Sequence, residues 1–124
     1  FMDKESCVIY QGNHFQIEWY FDANGFSQPY EYFLSATPDQ RRKFLLLVKR
    51  IGDFGVIMDK TKFRNEGDGI FAFKPQPDRY LCFFTVGKKI IVTNSFVKRQ
   101  QKLPQKEKKL CVKCQKDYLE RFSE

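Results

Sequence analysis

Three apolar, β-prone runs separated only by short turns lie between Ile70 and Asn94, and this stretch constrains the fold more than any other. The runs are Ile70–Lys74, Arg79–Val86 and Lys89–Asn94. Pro75–Asp78 and Gly87-Lys88 supply turn residues, so the spacing predicts an antiparallel meander. The central run, Tyr80–Val86, is apolar at successive positions. That pattern predicts an interior strand buried on both faces, with a helix on one side.

The N-terminal part repeats the β pattern. Val8–Tyr10 and Phe15–Phe21 are β-prone and flank Gly12-Asn13, a hairpin-turn pair. Phe15, Ile17, Trp19 and Phe21 alternate with Gln16, Glu18, Tyr20 and Asp22, the period of a half-buried strand. Ser27 predicts a cap for a short helix over Gln28–Ser35, with Tyr30, Phe33 and Leu34 sharing one face.

A second helix starts at Pro38, with Thr37 as cap and Gln40 completing a capping box. Phe44, Leu47, Val48 and Ile51 follow at helical spacing, and Gly52 and Gly55 read as stop signals. Residues 56–68 read as a polar loop. Pro104 opens a last helix whose apolar stripe is Leu110, Cys111, Cys114, Tyr118 and Phe122. The expectation is one compact α+β domain over residues 1–124, a twisted antiparallel sheet packed against helices. Phe1 ahead of Met2 reads as an added residue, with Met2 the natural start.

The 17% aromatic content, including fourteen phenylalanines, supplies the core of such a domain. The longest strictly apolar run, Phe44–Val48, is far too short for a membrane span, and with no charged-then-apolar pattern in the opening residues no signal sequence is expected. A reduced, cytoplasmic protein is expected. Cys82 sits in a strand pattern and reads as a small apolar residue. Cys111 and Cys114 form a CxxC, but a closed zinc site needs four ligands, and His14 is distant in sequence. No metal or cofactor is expected.

Charge is distributed unevenly. Residues 88–116 carry ten basic side chains against one acid, Glu107, for a net +9, while residues 1–87 are neutral. A neutral body with one cationic segment points to a binding surface for a polyanion. A solvated lysine-rich helix face is the plainer alternative.

With one histidine, a two-histidine nuclease centre is excluded. No phosphate-binding GxxxxGK[ST] appears, and acid pairs for a two-metal site are missing from the cationic half. Cleavage of nucleic acid would fall mainly to Lys, Arg and Tyr. RNA permits this, because it carries its own nucleophile in the 2′-hydroxyl. The protein need only align that oxygen and stabilise charge on the phosphorane, and a lysine of lowered pKa can move protons. Candidate residues are Lys74 and Arg79 across one turn, with Lys98, Arg99 and Lys102 after the third strand. Lys106 and Lys109 would extend the RNA-binding surface.

GIFAFKPQPDRYLCFF (69–84), KKIIVTNSFVKRQQKLPQKEKK (88–109) and GFSQPYEYFLS (25–35) resemble the RelE/ParE toxin superfamily, in particular its HigB-type, phage-derived branch. The resemblance spans roughly residues 15–121, and Phe-x-Lys-x-x-x-Lys-x-Pro is its most specific element. It implies a RelE-like fold and the toxin of a type II toxin–antitoxin pair, a metal-independent mRNA endonuclease, with ribosome dependence left open. By position it implies that Lys74, Arg79, Lys98 and Arg99 are catalytic and that Lys102 binds RNA. It also implies a HigA-like, helix-turn-helix antitoxin as partner and mRNA as substrate, with no membrane. The chain departs from the pattern in three places. Lys74 stands for an arginine, Gln28 interrupts Ser-Pro, and Asn94-Ser95 replaces His-Gly. Two other readings remain open at this point. One is a non-catalytic interaction protein, either a ParE-like gyrase inhibitor or a degenerate toxin that binds only its antitoxin. The other is a plain nucleic-acid-binding module.

Overall fold

A computed structural model describes residues 7–122, so the reading of Phe1 and Met2 lies outside the described residues. The elements in chain order are β1 (Val8–Gln11), β2 (Gln16–Trp19), α1 (Gln28–Ser35), α2 (Pro38–Phe54), β3 (Phe63–Gly67), β4 (Ile70–Phe73), β5 (Asp78–Phe84), β6 (Lys89–Val97) and α3 (Gln105–Arg121). The six strands form one open sheet in the order β1-β2-β6-β5-β4-β3. The fold is α+β, as expected.

The sheet is mixed rather than wholly antiparallel. β2 pairs with β6 in parallel, Gln16 to Lys89 through Trp19 to Val92. The N-terminal hairpin docks beside the last strand because β3, β4 and β5 build outward on its other side. A strand is also present where a loop was expected. β3 pairs antiparallel with β4, Arg64 opposite Ala72 and Phe63 opposite Phe73. As an edge strand it exposes most of its residues, so it lacks an apolar run.

Helices cover both faces, which accounts for the continuous apolar character of β5. On one side Ile17, Trp19, Phe73, Tyr80, Cys82 and Val92 pack with Phe44, Val48 and Ile51 of α2. Phe44 stacks on Tyr80 with centroids 3.9 Å apart, so Tyr80 belongs to the core. On the other side Ile70, Leu81, Phe83 and Ile91 pack with Cys111, Cys114 and Tyr118 of α3. The stripe of α3 is narrower than the sequence suggests, since Leu110 and Phe122 are exposed. Leu34 of α1 is exposed as well.

The caps form as read. Thr37 and Gln40 make the reciprocal capping box, and the Ser27 hydroxyl accepts from the Tyr30 amide. Gly55 ends α2 in the left-handed conformation at φ 81°. Gly52 does not stop the helix. It lies inside α2, where its carbonyl accepts from the amides of His14 (2.7 Å) and Phe15 (3.1 Å). A Cβ on Gly12 would meet the Gly52 carbonyl carbon at 2.2 Å, so the β1–β2 turn packs backbone to backbone against the helix.

Candidate functional site

Alternation along β5 puts Tyr80 and Cys82 against α2, and Arg79, Leu81 and Phe83 on the α3 face. Arg79 stands opposite Phe96 of β6, and Arg64 of β3 stands opposite Ala72 of β4. Lys74 follows β4 with the parity of Ala72. The end of the sheet therefore presents Arg64, Lys74 and Arg79 on the face that α3 only partly covers. The segment after β6 closes over this end, fixed by the Lys98 amide donating to the Pro77 carbonyl at 2.9 Å.

The result is an open cleft of about 440 Å³. Lys74, Arg79, Lys98, Arg99 and Lys102 all line it, so the fold brings together five of the expected residues. Lys106 and Lys109 do not line it; both are exposed on α3. Their spacing sets them opposite Cys111 and Cys114, on the solvent side with Lys113 and Lys116. The ten cations of residues 88–116 do not form one surface either. Lys88 and Lys89 lie at the opposite end of β6, and Lys89 pairs with Glu18 at 3.4 Å.

Three charged cleft residues were not anticipated: Arg64, Glu66 and Lys108. Arg64 and Glu66 come from the strand read as loop, and only its pairing with β4 places them. Lys108 reaches across from α3, donating to the Glu66 carbonyl at 3.0 Å and pairing with Asp68 at 3.0 Å. The alternation Phe63, Asn65 against Arg64, Glu66 ahead of a Gly-Asp-Gly turn was the available sequence signal.

The electrostatics of the cleft are dominated by unneutralised positive charge. Among the described residues, no carboxylate forms an ion pair with Arg64, Lys74, Arg79, Lys98, Arg99 or Lys102. Arg79 is buried, its Nη1 donating to the Asp78 carbonyl at 2.8 Å and to Gln76 Oε1 at 3.4 Å. These bonds aim the guanidinium without neutralising it. Burial also lowers its pKa, against the opposing pull of Glu66 and Asp78. Lys74 is shifted the same way, first by burial and then by the charge of Arg79, against the opposing pull of Glu66 and with Arg64 and Lys98 adding to the shift. Its Nζ donates to the Lys60 carbonyl at 3.3 Å. A lysine so placed gives up a proton more readily than one in solvent.

The N-terminus of α3 adds main-chain donors. Pro104 and Gln105 line the cleft, and the Pro104 cap supplies no side-chain acceptor to the first turn. The first amides of a helix lack intrahelical partners, and the helix dipole there favours an anion. The cleft thus offers guanidinium, ammonium and amide donors to one polyanionic group. Such a donor set suits a phosphate group.

Other features have structural roles. Cys111 and Cys114 are buried, and burial raises their thiols to about 12 and about 11. No group of three or more His, Cys, Asp or Glu among the described residues is placed to hold a metal ion. No helix among them is long and apolar enough to cross a membrane.

Residues 31–116 match the family model described as phage derived protein Gp49-like (DUF891). No curated protein matches the chain.

Proposed function

Because the chain belongs to the Gp49-like phage-derived protein family, of the RelE/HigB-like toxin superfamily, we propose that it is the toxin of a toxin–antitoxin pair and cleaves mRNA without a metal ion. Proteins of this family are generally toxin-like and usually paired with an antitoxin. The observation that carries the catalytic reading is the cleft itself, in which Lys74, Arg79, Lys98, Arg99 and Lys102 converge with no carboxylate among the described residues paired to any of them.

In this reading the scissile phosphate sits against Arg79 and Lys74. Arg79 is held by its bonds to Asp78 and Gln76, so its charge is already oriented when the phosphorane forms. Lys74, with its lowered pKa, exchanges the proton of the 2′-hydroxyl. Lys98 or Arg99 steadies the leaving oxygen, while Lys102 and the first amides of α3 hold the flanking backbone. Attack by the 2′-oxygen, its proton passing to Lys74, breaks the bond to the 5′-oxygen, which takes up a proton from Lys98 or water, and leaves a 2′,3′-cyclic phosphate. DNA lacks the nucleophile and is not a substrate.

The test is incubation of the protein with RNA in EDTA, with and without ribosomes. Cleavage that yields cyclic-phosphate ends and leaves a DNA of the same sequence intact is the expected result. Gyrase inhibition without RNA cleavage would replace this reading with that of an interaction protein.

A further inference from the structure

A second cavity, of about 410 Å³, borders the cleft on the other side of the segment that follows β6. Phe96, Arg99, Gln100 and Pro104 line both, so the two are adjacent and share that segment as a wall. Its size lies within the roughly 300–1,000 Å³ range of small-molecule pockets. Tyr32 and Val97 join Phe96 and Pro104 in its apolar and aromatic wall, Glu107 is its one acidic lining residue, and no lysine lines it.

Glu107 is the one acid among the ten cations of residues 88–116. Solvation or a lysine partner would account for an acid on that helix, yet no ion pair forms at Glu107 among the described residues. Instead Asn94 Nδ2 donates to Glu107 Oε1 at 3.0 Å and to the Glu107 carbonyl at 3.1 Å. Asn94 is itself buried and fixed, its Oδ1 accepting from the Thr93 hydroxyl at 2.7 Å. The carboxylate is thereby oriented by a neutral donor and keeps acceptor capacity to spare, since an ionised carboxylate has about four lone-pair sites.

We infer that this cavity is a nucleobase subsite of the cleft and that Glu107 selects guanine there. The inference rests on the reading of the cleft as an RNA site. Single-stranded RNA is read by splaying a base onto an aromatic ring or an arginine plane and hydrogen-bonding its Watson–Crick edge. Arg99 lines both spaces, so one side chain meets the phosphate on one side and the base on the other. Arg99 and Tyr32 line the same cavity, so the guanidinium shares it with the aromatic wall. Guanine alone presents two adjacent N–H donors, N1–H and the N2 amino group, to a carboxylate. Uracil sets a single N–H between two carbonyl oxygens, which the carboxylate repels. Adenine and cytosine each offer an amino group beside a ring acceptor.

The test is a titration of the full chain with 3′-GMP and with 3′-UMP, followed by amide chemical shifts, for wild type and E107Q. The glutamine keeps the acceptor for Asn94, and a thermal melt checks that the fold is intact. Wild type is expected to bind 3′-GMP roughly tenfold or more tightly than 3′-UMP, the scale of one good bidentate base contact. Shifts should centre on Val97, Arg99 and Glu107. In E107Q the ratio should fall towards one. The ratio, rather than either affinity, is the readout, because removing a negative charge strengthens both nucleotides alike. Equal affinities in wild type, or a ratio unmoved in folded E107Q, overturns the assignment. The two readings fail separately. A guanine preference carried by Glu107 in a protein that cuts no RNA leaves the subsite standing without the nuclease. RNA cleavage with equal nucleotide affinities does the reverse.

Discussion

The side-chain amide of Gln28 acts as a one-residue strand beside Ser95. Gln28 Oε1 accepts from the Ser95 amide at 2.8 Å, and Gln28 Nε2 donates to the Ser95 carbonyl at 2.9 Å. β2 pairs with β6 only as far as Val92, so the main chain beyond would otherwise lack partners on that edge. Two of the chain's departures from the family pattern, the residue that interrupts Ser-Pro and the Asn-Ser before Phe96, are thus in direct contact. They fasten the start of α1 to the strand that carries the cleft.

Gln28→Ala should therefore lower stability by about 1–3 kcal/mol, the cost of leaving a buried main-chain group unpaired. Ser95 is 3% exposed, so water cannot readily take over. Denaturant unfolding measures the change. A loss below about 0.3 kcal/mol would show that the pair is incidental.

Arg79→Ala should reduce single-turnover RNA cleavage by roughly two to three orders of magnitude, the scale for losing one preorganised charge-stabilising donor. RNA affinity should fall far less, because Lys98, Arg99 and Lys102 remain in the cleft. Arg79→Lys should recover only part of the rate, since an ammonium cannot reproduce two parallel hydrogen bonds to phosphate. Wild-type cleavage by a folded Ala variant would make Arg79 a structural residue.

Lys74→Met should weaken RNA binding yet raise stability at pH 7 by about half a kcal/mol, the scale of partly exposed charge interactions. In the folded chain burial and Arg79 disfavour the ammonium, so its pKa lies below the ordinary 10.5. The unfolded chain then holds this proton to higher pH than the folded one. Stability from this position is lowest when both are protonated and rises with pH as the folded state releases its proton first. The gain in Lys74→Met over wild type should shrink as pH approaches 10.5. A gain constant across pH 7–10 would assign it to packing instead.

Cys111 and Cys114 should resist alkylation at pH 8 in the native protein and react readily in urea. Burial is the main cause of their raised values, about 12 and about 11, so the reactive thiolate is scarce in the fold. For an acid whose folded pKa is raised, stability is intact below the unfolded value and falls above it. Stability should therefore decline from about pH 9 upward, and less steeply in C111A/C114A. Rapid labelling of the native protein would contradict the burial.

Binding to RNA should weaken by orders of magnitude between about 50 and 200 mM salt if several phosphates are neutralised, because condensed counterions are released. The lysines outside the cleft separate local from diffuse attraction. Lys106→Ala and Lys109→Ala should shift affinity modestly without changing cleavage of bound RNA. An equal loss of cleavage from both would extend the site along α3.

Much of this protein is local and therefore legible in its sequence. The capping box at Thr37 and Gln40, the Gly55 stop and the apolar β5 all follow from near neighbours or from a short period. So did the convergence of Lys74, Arg79, Lys98, Arg99 and Lys102, because short turns join the strands that carry the first four. What only the tertiary structure decided involves partners distant in the chain. β3 has too few apolar residues to mark a strand by itself, and pairing with β4 is what brings Arg64 and Glu66 into the cleft. The parallel pairing of β2 with β6 depends on a return after some seventy residues. Neighbouring lysines of α3 were also sorted by helix geometry, Lys108 inward and Lys106 and Lys109 to solvent. Sequence reports charge as a sum along the chain, whereas binding depends on which side chains share a surface. That is set by long-range packing.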